Sequence, residues 1–346
     1  IEAITRADGK TIRMYTCGPT VYNTVHIGNL RSYIMADLLY RTLKYEGYDV
    51  KYAMNITDVD DKTIASTVAE FGDEANVADL NTFTTRYLNG FLEDLKAVNI
   101  DASNINIIRV SDVIPQIQEF ILLLLEKGFA YQTDDGVYFS IEKYQKQFGD
   151  YGALVGTKFL DGKKVGARVA VDEYEKENLS DFALWKAHTY TDRNIFWEHP
   201  VLGTGRPGWH IECSVINRVA FDDQPVDIHT GGVDLIFPHH TNEIAQSQPL
   251  GEFVKHWFHS AHLMVEDNKM AKSKKNFYTL RDVEAKGYSG LDLRYLYLQS
   301  HYRTQQNFTW ESLEASKTAL QKLKSVSETS DSRNINEEAA IESFTV

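Results

Sequence analysis

Residues 1–56 read as strand, turn, helix and strand, and this pattern constrains the fold more than any other stretch of the chain. Residues 11–17 form an extended, largely apolar run, Gly18-Pro19 turns the chain, and a loop ends at Gly28-Asn29. The spacing predicts a helix over 30–45, with Ile34, Ala36, Leu38, Leu39 and Leu43 clustered toward one side, and Gly47 stands where a left-handed C-cap is useful. Residues 52–56 then supply a second strand. Two strands joined through a helix pair in parallel by a right-handed crossover, so the expected fold class is α/β with a parallel sheet.

At 346 residues the chain exceeds one ordinary core, and two or three structural units are expected. A second long helix is predicted over 113–127, capped by Ser111 or Asp112, with Pro115 in its first turn and Gly128 at its end. From Ala130 to Trp197 the character changes to short β-like pieces (137–139, 167–171) among charged turns, which reads as an inserted domain. Parallel-sheet character returns at 226–229, and beyond Lys322 the sequence is polar and linker-like. The divisions expected are 1–125, 126–200, 201–265, 266–310 and 311–346. A net charge of −13 excludes a generally basic nucleic-acid coat, though not one local basic patch. The longest apolar run, 120–125, cannot span a bilayer, no signal-peptide core is visible, and two cysteines make no disulfide framework. A cytoplasmic protein is expected. The chain opens on Ile rather than Met, which points to a few missing leading residues.

Two local patterns carry chemistry. In Phe237-Pro238-His239-His240-Thr241-Asn242-Glu243, His239 and Glu243 are four apart and share a helix face, while His240 is turned away by about 100°. The only cysteines, Cys17 and Cys213, are both read as lying beside strand ends of the sheet, and strand ends in an α/β sheet converge on one crevice. Two thiolates, an imidazole and a carboxylate suit Zn²⁺. Two inert buried cysteines, or a disulfide, fit the same spacing. The second pattern pairs His26-Ile27-Gly28-Asn29, between a strand and a helix, with Asn268-Lys269-Met270-Ala271-Lys272-Ser273-Lys274-Lys275. Backbone N–H groups and the dipole at a helix N-terminus attract phosphate, and Gly28 lets a ligand approach the backbone. Taken alone, the lysine-rich stretch reads first as a solvated basic face, and alternatively as a mobile clamp neutralising pyrophosphate as it leaves a nucleotide.

Together these residues resemble the HIGH and KMSKS motifs of class I aminoacyl-tRNA synthetases. The segments 15–22 (YTCGPTVY), 55–62 (NITDVDDK), 205–214 (GRPGWHIECS) and 237–243 (FPHHTNE) are similar to the cysteinyl enzymes in order and spacing, from about Met14 to Thr309. The resemblance implies a Rossmann-type catalytic domain split by a connective insertion, then a helical stem-contact region carrying the lysine loop. It implies zinc held by Cys17, Cys213, His239 and Glu243, and a cysteine pocket lined by Thr57, Trp209 and His229. Gly28, Gly231, Gly232, Asp234 and Lys272 fall to the nucleotide, with Asp234 suited to a ribose hydroxyl. His26, Asn29, Lys269 and Lys272 fall to catalysis by stabilising the phosphates. The substrates implied are L-cysteine, ATP with Mg²⁺, and tRNA(Cys), and a monomer without membrane contact is expected.

Two departures stand out. Asn29 replaces the second histidine of HIGH, which removes an imidazolium charge but keeps amide donors. Ala271 replaces the first serine of KMSKS and spares both lysines. Little sequence follows Lys322, so the family's anticodon-binding module is expected to be absent from this chain. Two further readings stay open: a cysteine ligase of the same superfamily acting on a small amino-sugar, and a non-catalytic zinc- or RNA-binding paralogue.

Overall fold

The computed structural model describes residues 11–149, 151–156, 165–169, 179–269 and 276–331. Its first strand, β1 (Thr11–Thr16), leads through α1 (Ile27–Tyr45) into β2 (Asp49–Ile56), which lies parallel to β1 as the opening pattern requires. Gly47 ends α1 with φ +83°, and the amides of Gly47 and Tyr48 close on the carbonyls of Lys44 and Leu43. That is the paired hydrogen-bond pattern of a Schellman cap. Helix α1 starts three residues before the predicted position. The His26 imidazole Nδ1 accepts from the Asn29 amide (3.1 Å) while Asn29 Oδ1 accepts from the His26 amide (3.2 Å). This reciprocal cap uses a His–Asn pair where the sequence rule looks for Ser or Thr with Glu.

Two helices the sequence reading did not identify follow, α2 (Asp61–Phe71) and α3 (Val77–Ala97), capped by Asp60 and Asn76. Strand β3 (Asn106–Arg109) then adds to β2 in parallel. Helix α4 (Ile114–Glu126) occupies the predicted place, but neither Ser111 nor Asp112 caps it. Ser111 instead gives its amide (3.0 Å) and hydroxyl (2.5 Å) to the Asp58 carboxylate, which Arg109 also holds at 2.9 Å.

The next stretch builds a sheet of its own. Strands β4 (Ala130–Thr133) and β5 (Gly136–Phe139) form a hairpin, and α5 (Ile141–Phe148) follows. Strands β6 (Val165–Val169), β7 (Leu179–Ala187) and β8 (Gly205–Pro207) complete it in the order β4-β5-β7-β6, with β8 on β7. Helix α6 (Trp209–Ala220) returns the chain to the parallel sheet through β9 (Val226–Gly232), α7 (Thr241–Ser247) and β10 (Val254–Ser260). A small sheet of β11 (Leu263–Val265), β12 (Asn268–Lys269) and, after α8 (Leu280–Ala285) and α9 (Gly290–Leu298), β13 (Gln306–Phe308) precedes the last helix, α10 (Trp310–Asp331).

The main sheet runs β10-β9-β1-β2-β3, every pair parallel. Such a sheet is covered on both faces, and β1 shows it by alternation. Tyr15 points into a core shared with Ile117 and Ile121 of α4 and Ile211 of α6, whereas Met14 joins Leu30 and Ile34 of α1, Leu95 of α3 and Leu293 of α9. Leu38, assigned by periodicity to the apolar side of α1, is 41% exposed; its position falls beyond the edge of the covered stripe. Between β1 and β9 the chain order reverses, and a crevice opens at the carboxyl ends of those strands.

Candidate functional site

A cavity of about 400 Å³ occupies that crevice. One side is the β1 end and the start of α1, with Cys17, Gly18, His26, Gly28, Asn29 and Ser32. The other is built from Gly231 and Gly232 at the end of β9, Asp234 beyond it, and residues 260–263 where β10 passes into β11, with Trp209 from α6. Gly18 is obligatory: a Cβ there would lie 1.8 Å from the Asn55 carbonyl oxygen, and the Gly18 amide is held by Asn55 Oδ1 at 2.7 Å. A Cβ on Gly231 would press on the His240 ring at 2.8 Å.

At the α1 end the capping pair also sets donors. Because His26 Nδ1 accepts the Asn29 amide proton, the neutral ring carries its proton on Nε2. The Asn29 carbonyl oxygen is engaged in the cap, so its amino group remains as a donor beside the cavity. Phe277 packs edge-on to His26 (5.1 Å between centroids), and the Ile27 amide donates to the Tyr278 carbonyl at 2.9 Å. The chain leaving the lysine-rich stretch is thereby seated on the α1 N-terminus. Lys269 ends β12, and Lys272 lies outside the described residues.

Behind the cavity lies a buried donor cluster. Cys17 Sγ is 3.7 Å from Cys213 Sγ, Cys213 Sγ is 3.4 Å from His239 Nε2, and His239 Nε2 is 3.2 Å from Glu243 Oε1. Cys17 to Glu243 measures 3.9 Å. Donors about 2.3 Å (sulfur) and about 2.0–2.1 Å (nitrogen, oxygen) from a common centre, at tetrahedral angles, stand about 3.8, 3.5 and 3.3 Å apart for S–S, S–N and N–O. Three of these four distances match those lengths within about 0.1 Å, and the two thiols are free. Charge argues the same way. Burial, then the neighbouring Cys213, pushes the Cys17 thiol well above its ordinary range, and burial raises the Glu243 carboxyl likewise. Burial lowers His229 to about 3. Without a cation the Cys17 thiol and the Glu243 carboxyl are driven neutral, and a divalent ion reverses that preference, while the neutral imidazole is already the ligand form. The residues fit a zinc ion.

Two sequence expectations need correction here. Cys213 is not beside a strand end but in the middle of α6, which carries it back over the sheet to meet Cys17. His240 is not turned away from the cluster. The backbone is non-helical at Phe237, and five residues form a wide turn before α7, so His240 Nε2 comes within 3.3 Å of Cys17 Sγ and 3.9 Å of Glu243 Oε1. A second donor set, Cys17, His229, His240 and Glu243, thus overlaps the first. His240 Nδ1 pairs with His259 Nε2 at 2.8 Å, and neither histidine was singled out as a site residue from sequence. Their only signal there was the density of imidazoles around one strand end.

Of the residues expected at the cysteine pocket, Trp209 lines the cavity and stacks on His239 with centroids 4.3 Å apart. Thr57 and His229 are fully buried behind that wall. Thr57 donates to Glu212 Oε2 (2.8 Å) and accepts from Asn55, and His229 Nε2 is 3.1 Å from Glu243 Oε2. Asp234 stands at the mouth, its side chain 61% exposed, 3.9 Å from His262.

A parallel sheet with its cavity at the β1–β9 reversal is the architecture of class I synthetases. Methionyl-tRNA synthetase of Mycobacterium tuberculosis, solved with methionyl-adenylate, superposes with a TM-score of 0.65 at 15% identity, over 88% of this chain and 68% of that one. More particularly, residues 3–318 match the tRNA synthetases class I (C) catalytic domain, and the chain belongs to that family. Relatives include proteins named cysteine–tRNA ligase from Chlamydia caviae, 49% identical over 317 residues and 90% of this chain, and Brachyspira hyodysenteriae, 45% identical over 345 residues and 97% of it. The chain spans 64% of the length of the Chlamydia caviae relative and 70% of the Brachyspira hyodysenteriae one.

Proposed function

We propose that this chain is the catalytic part of a cysteine–tRNA ligase. The observation that carries the reading is the buried Cys17–Cys213–His239–Glu243 set directly behind a nucleotide-sized cavity, in a family whose relatives are named for cysteine. In the first step a cysteine carboxylate oxygen attacks the α-phosphorus of ATP, a P–O bond forms, the α–β anhydride breaks and pyrophosphate leaves. In the second a terminal ribose hydroxyl of tRNA(Cys) attacks the acyl carbon and releases AMP. Neither step needs a protein nucleophile, so positioning and charge stabilisation carry the rate.

His26 Nε2–H and the Asn29 amino group are the donors offered to the phosphates at the positive end of the α1 dipole, where the Ile27 and Asn29 amides are already taken by Tyr278 and His26; Gly28 keeps the approach open. Gly231, Gly232 and Asp234 serve the ribose side. Trp209 borders the amino acid, while Thr57 and His229 hold that wall from behind. The sequence resemblance assigns Lys269 and Lys272 to the leaving pyrophosphate, with Mg²⁺ accompanying ATP. Zinc on Cys17, Cys213, His239 and Glu243 would supply a sulfur-preferring Lewis acid, where a plain pocket separates cysteine from serine by only about 1–3 kcal/mol. One chain supplies every group named here, as a monomer requires. Two free buried thiols suit the reducing cytoplasm.

The test is charging by the full-length protein. Labelled cysteine should become acid-precipitable on tRNA(Cys) through a base-labile ester, and labelled serine should not. Label recovered instead as a base-stable amide of a small amine, or no transfer at all, overturns the reading.

A further inference from the structure

The first turns of α1 carry a charge the proposed chemistry does not use. Arg31, two residues after Asn29, is 1% exposed. Its Nη1 donates to the Ala261 carbonyl and its Nη2 to the Thr304 carbonyl at 2.9 Å, while Nε has no hydrogen-bond partner. Among the described residues no carboxylate pairs with it; the Tyr297 phenol is the one group that favours its charge, and burial lowers its pKa. A buried guanidinium held only by carbonyls is a costly way to fill space. Its geometry shows what it does instead: a planar fork fixes two acceptors relative to one helix, as neither an ammonium nor an alkyl chain can.

The first acceptor belongs to the far side of the cavity, and the second, Thr304, lies in the 301–304 turn that is bonded to it from behind. Ala261 lines the cavity between β10 and β11, and the Ala261 amide in turn donates to the Tyr302 carbonyl at 2.8 Å. The next residue of α1 repeats the contact, Ser32 Oγ meeting Ser260 Oγ at 2.9 Å. The wall bearing Gly28, Asn29 and Ser32 is thus pinned to the wall bearing residues 260–263.

We propose that Arg31 is a positioning residue that sets the width of the nucleotide cleft, holding the phosphate-facing start of α1 at a fixed separation from the 260–263 turn. The inference rests on the ligase reading for the identity of the nucleotide. Arg31 touches no reacting atom; it acts through the two walls.

The experiment uses full-length protein with Arg31→Lys, Arg31→Met and Asn29→Ala. It measures KM for ATP and for cysteine in pyrophosphate exchange, affinity for a non-hydrolysable ATP analogue by calorimetry, zinc content and Tm. The expected result is a loss of about tenfold or more in analogue affinity and in kcat/KM for ATP, with KM for cysteine and zinc content unchanged and the lysine variant between wild type and methionine. Adding Arg31→Lys to Asn29→Ala should cost less than the product of the two, because both act on the same wall. A lowered Tm with unaltered analogue affinity, equal losses toward ATP and cysteine, or multiplicative effects with Asn29→Ala each overturn the proposal. Wild-type protein that binds the analogue but catalyses no exchange sinks the ligase reading while the Arg31 comparison in binding still stands.

Discussion

Asp94, near the end of α3, is 7% exposed, and its Oδ2 is buried without a hydrogen-bond partner. Burial lifts its pKa from 3.8 to about 6; Arg281 opposes the shift, and Glu284 and Glu93 add to it. The sign follows from linkage. A carboxyl that binds its proton more tightly when folded adds nothing unfavourable below pH 3.8, and its ionisation weakens the fold as pH rises from there through about 6. At neutral pH the whole penalty is present, about 3 kcal/mol as an upper figure and about 2 kcal/mol after allowing for residual hydration. Asp94→Asn removes the charge and keeps the shape. Urea denaturation followed by circular dichroism should find the variant about 2 kcal/mol more stable than wild type at pH 7.5, with the gap closing toward pH 4. Curves that stay parallel across that range, or a variant less stable at pH 7.5, refute the assignment of an unpaired, ionised Asp94.

Other outcomes follow from the same structure and, for Lys272, from the proposed function that the sequence resemblance supports. Gly18→Ala drives a Cβ into the Asn55 carbonyl and should cost about 3 kcal/mol or more; a change under about 0.5 kcal/mol in the urea midpoint contradicts the close approach. Glu243→Gln replaces one of four donors, an anionic carboxylate, by a weaker neutral amide oxygen and should weaken zinc retention more than about 100-fold in competition with a chromophoric chelator, beyond the range of an outer contact. Unchanged affinity would move the ion to other ligands. Lys272→Ala should lower kcat for pyrophosphate exchange about 100-fold while leaving KM for cysteine in place; a loss confined to cysteine KM argues against a phosphate role.

What could be read in advance depended on locality. The β1–α1–β2 unit and Gly47 were legible because a strand, a helix and a left-handed cap each write their own period and residue type. The α1 start was missed because His26 and Asn29 cap it with side chains seldom counted as a capping pair. Helix α4 was found but its cap was not, since Asp58, 53 positions earlier, competes for Ser111. At the site, His239 and Glu243 announce themselves by helical spacing. The third and fourth donors come from 196 residues apart, and only the fold brings Cys17 to Cys213. His240 and His259 were illegible for a related reason: the wide turn at 236–240 breaks the 100° rule that set His240 aside. Arg31 was equally hidden, because nothing in a helical Arg tells that its partners are carbonyls beyond residue 260.

The most direct measurement is cysteine-dependent exchange of labelled pyrophosphate into ATP, run on zinc-loaded and on chelated full-length protein with serine as control. Exchange with cysteine and not serine, lost on chelation and restored by zinc, is the predicted result. Fully zinc-loaded protein that catalyses no exchange, or that accepts serine as readily as cysteine, contradicts the account at its centre.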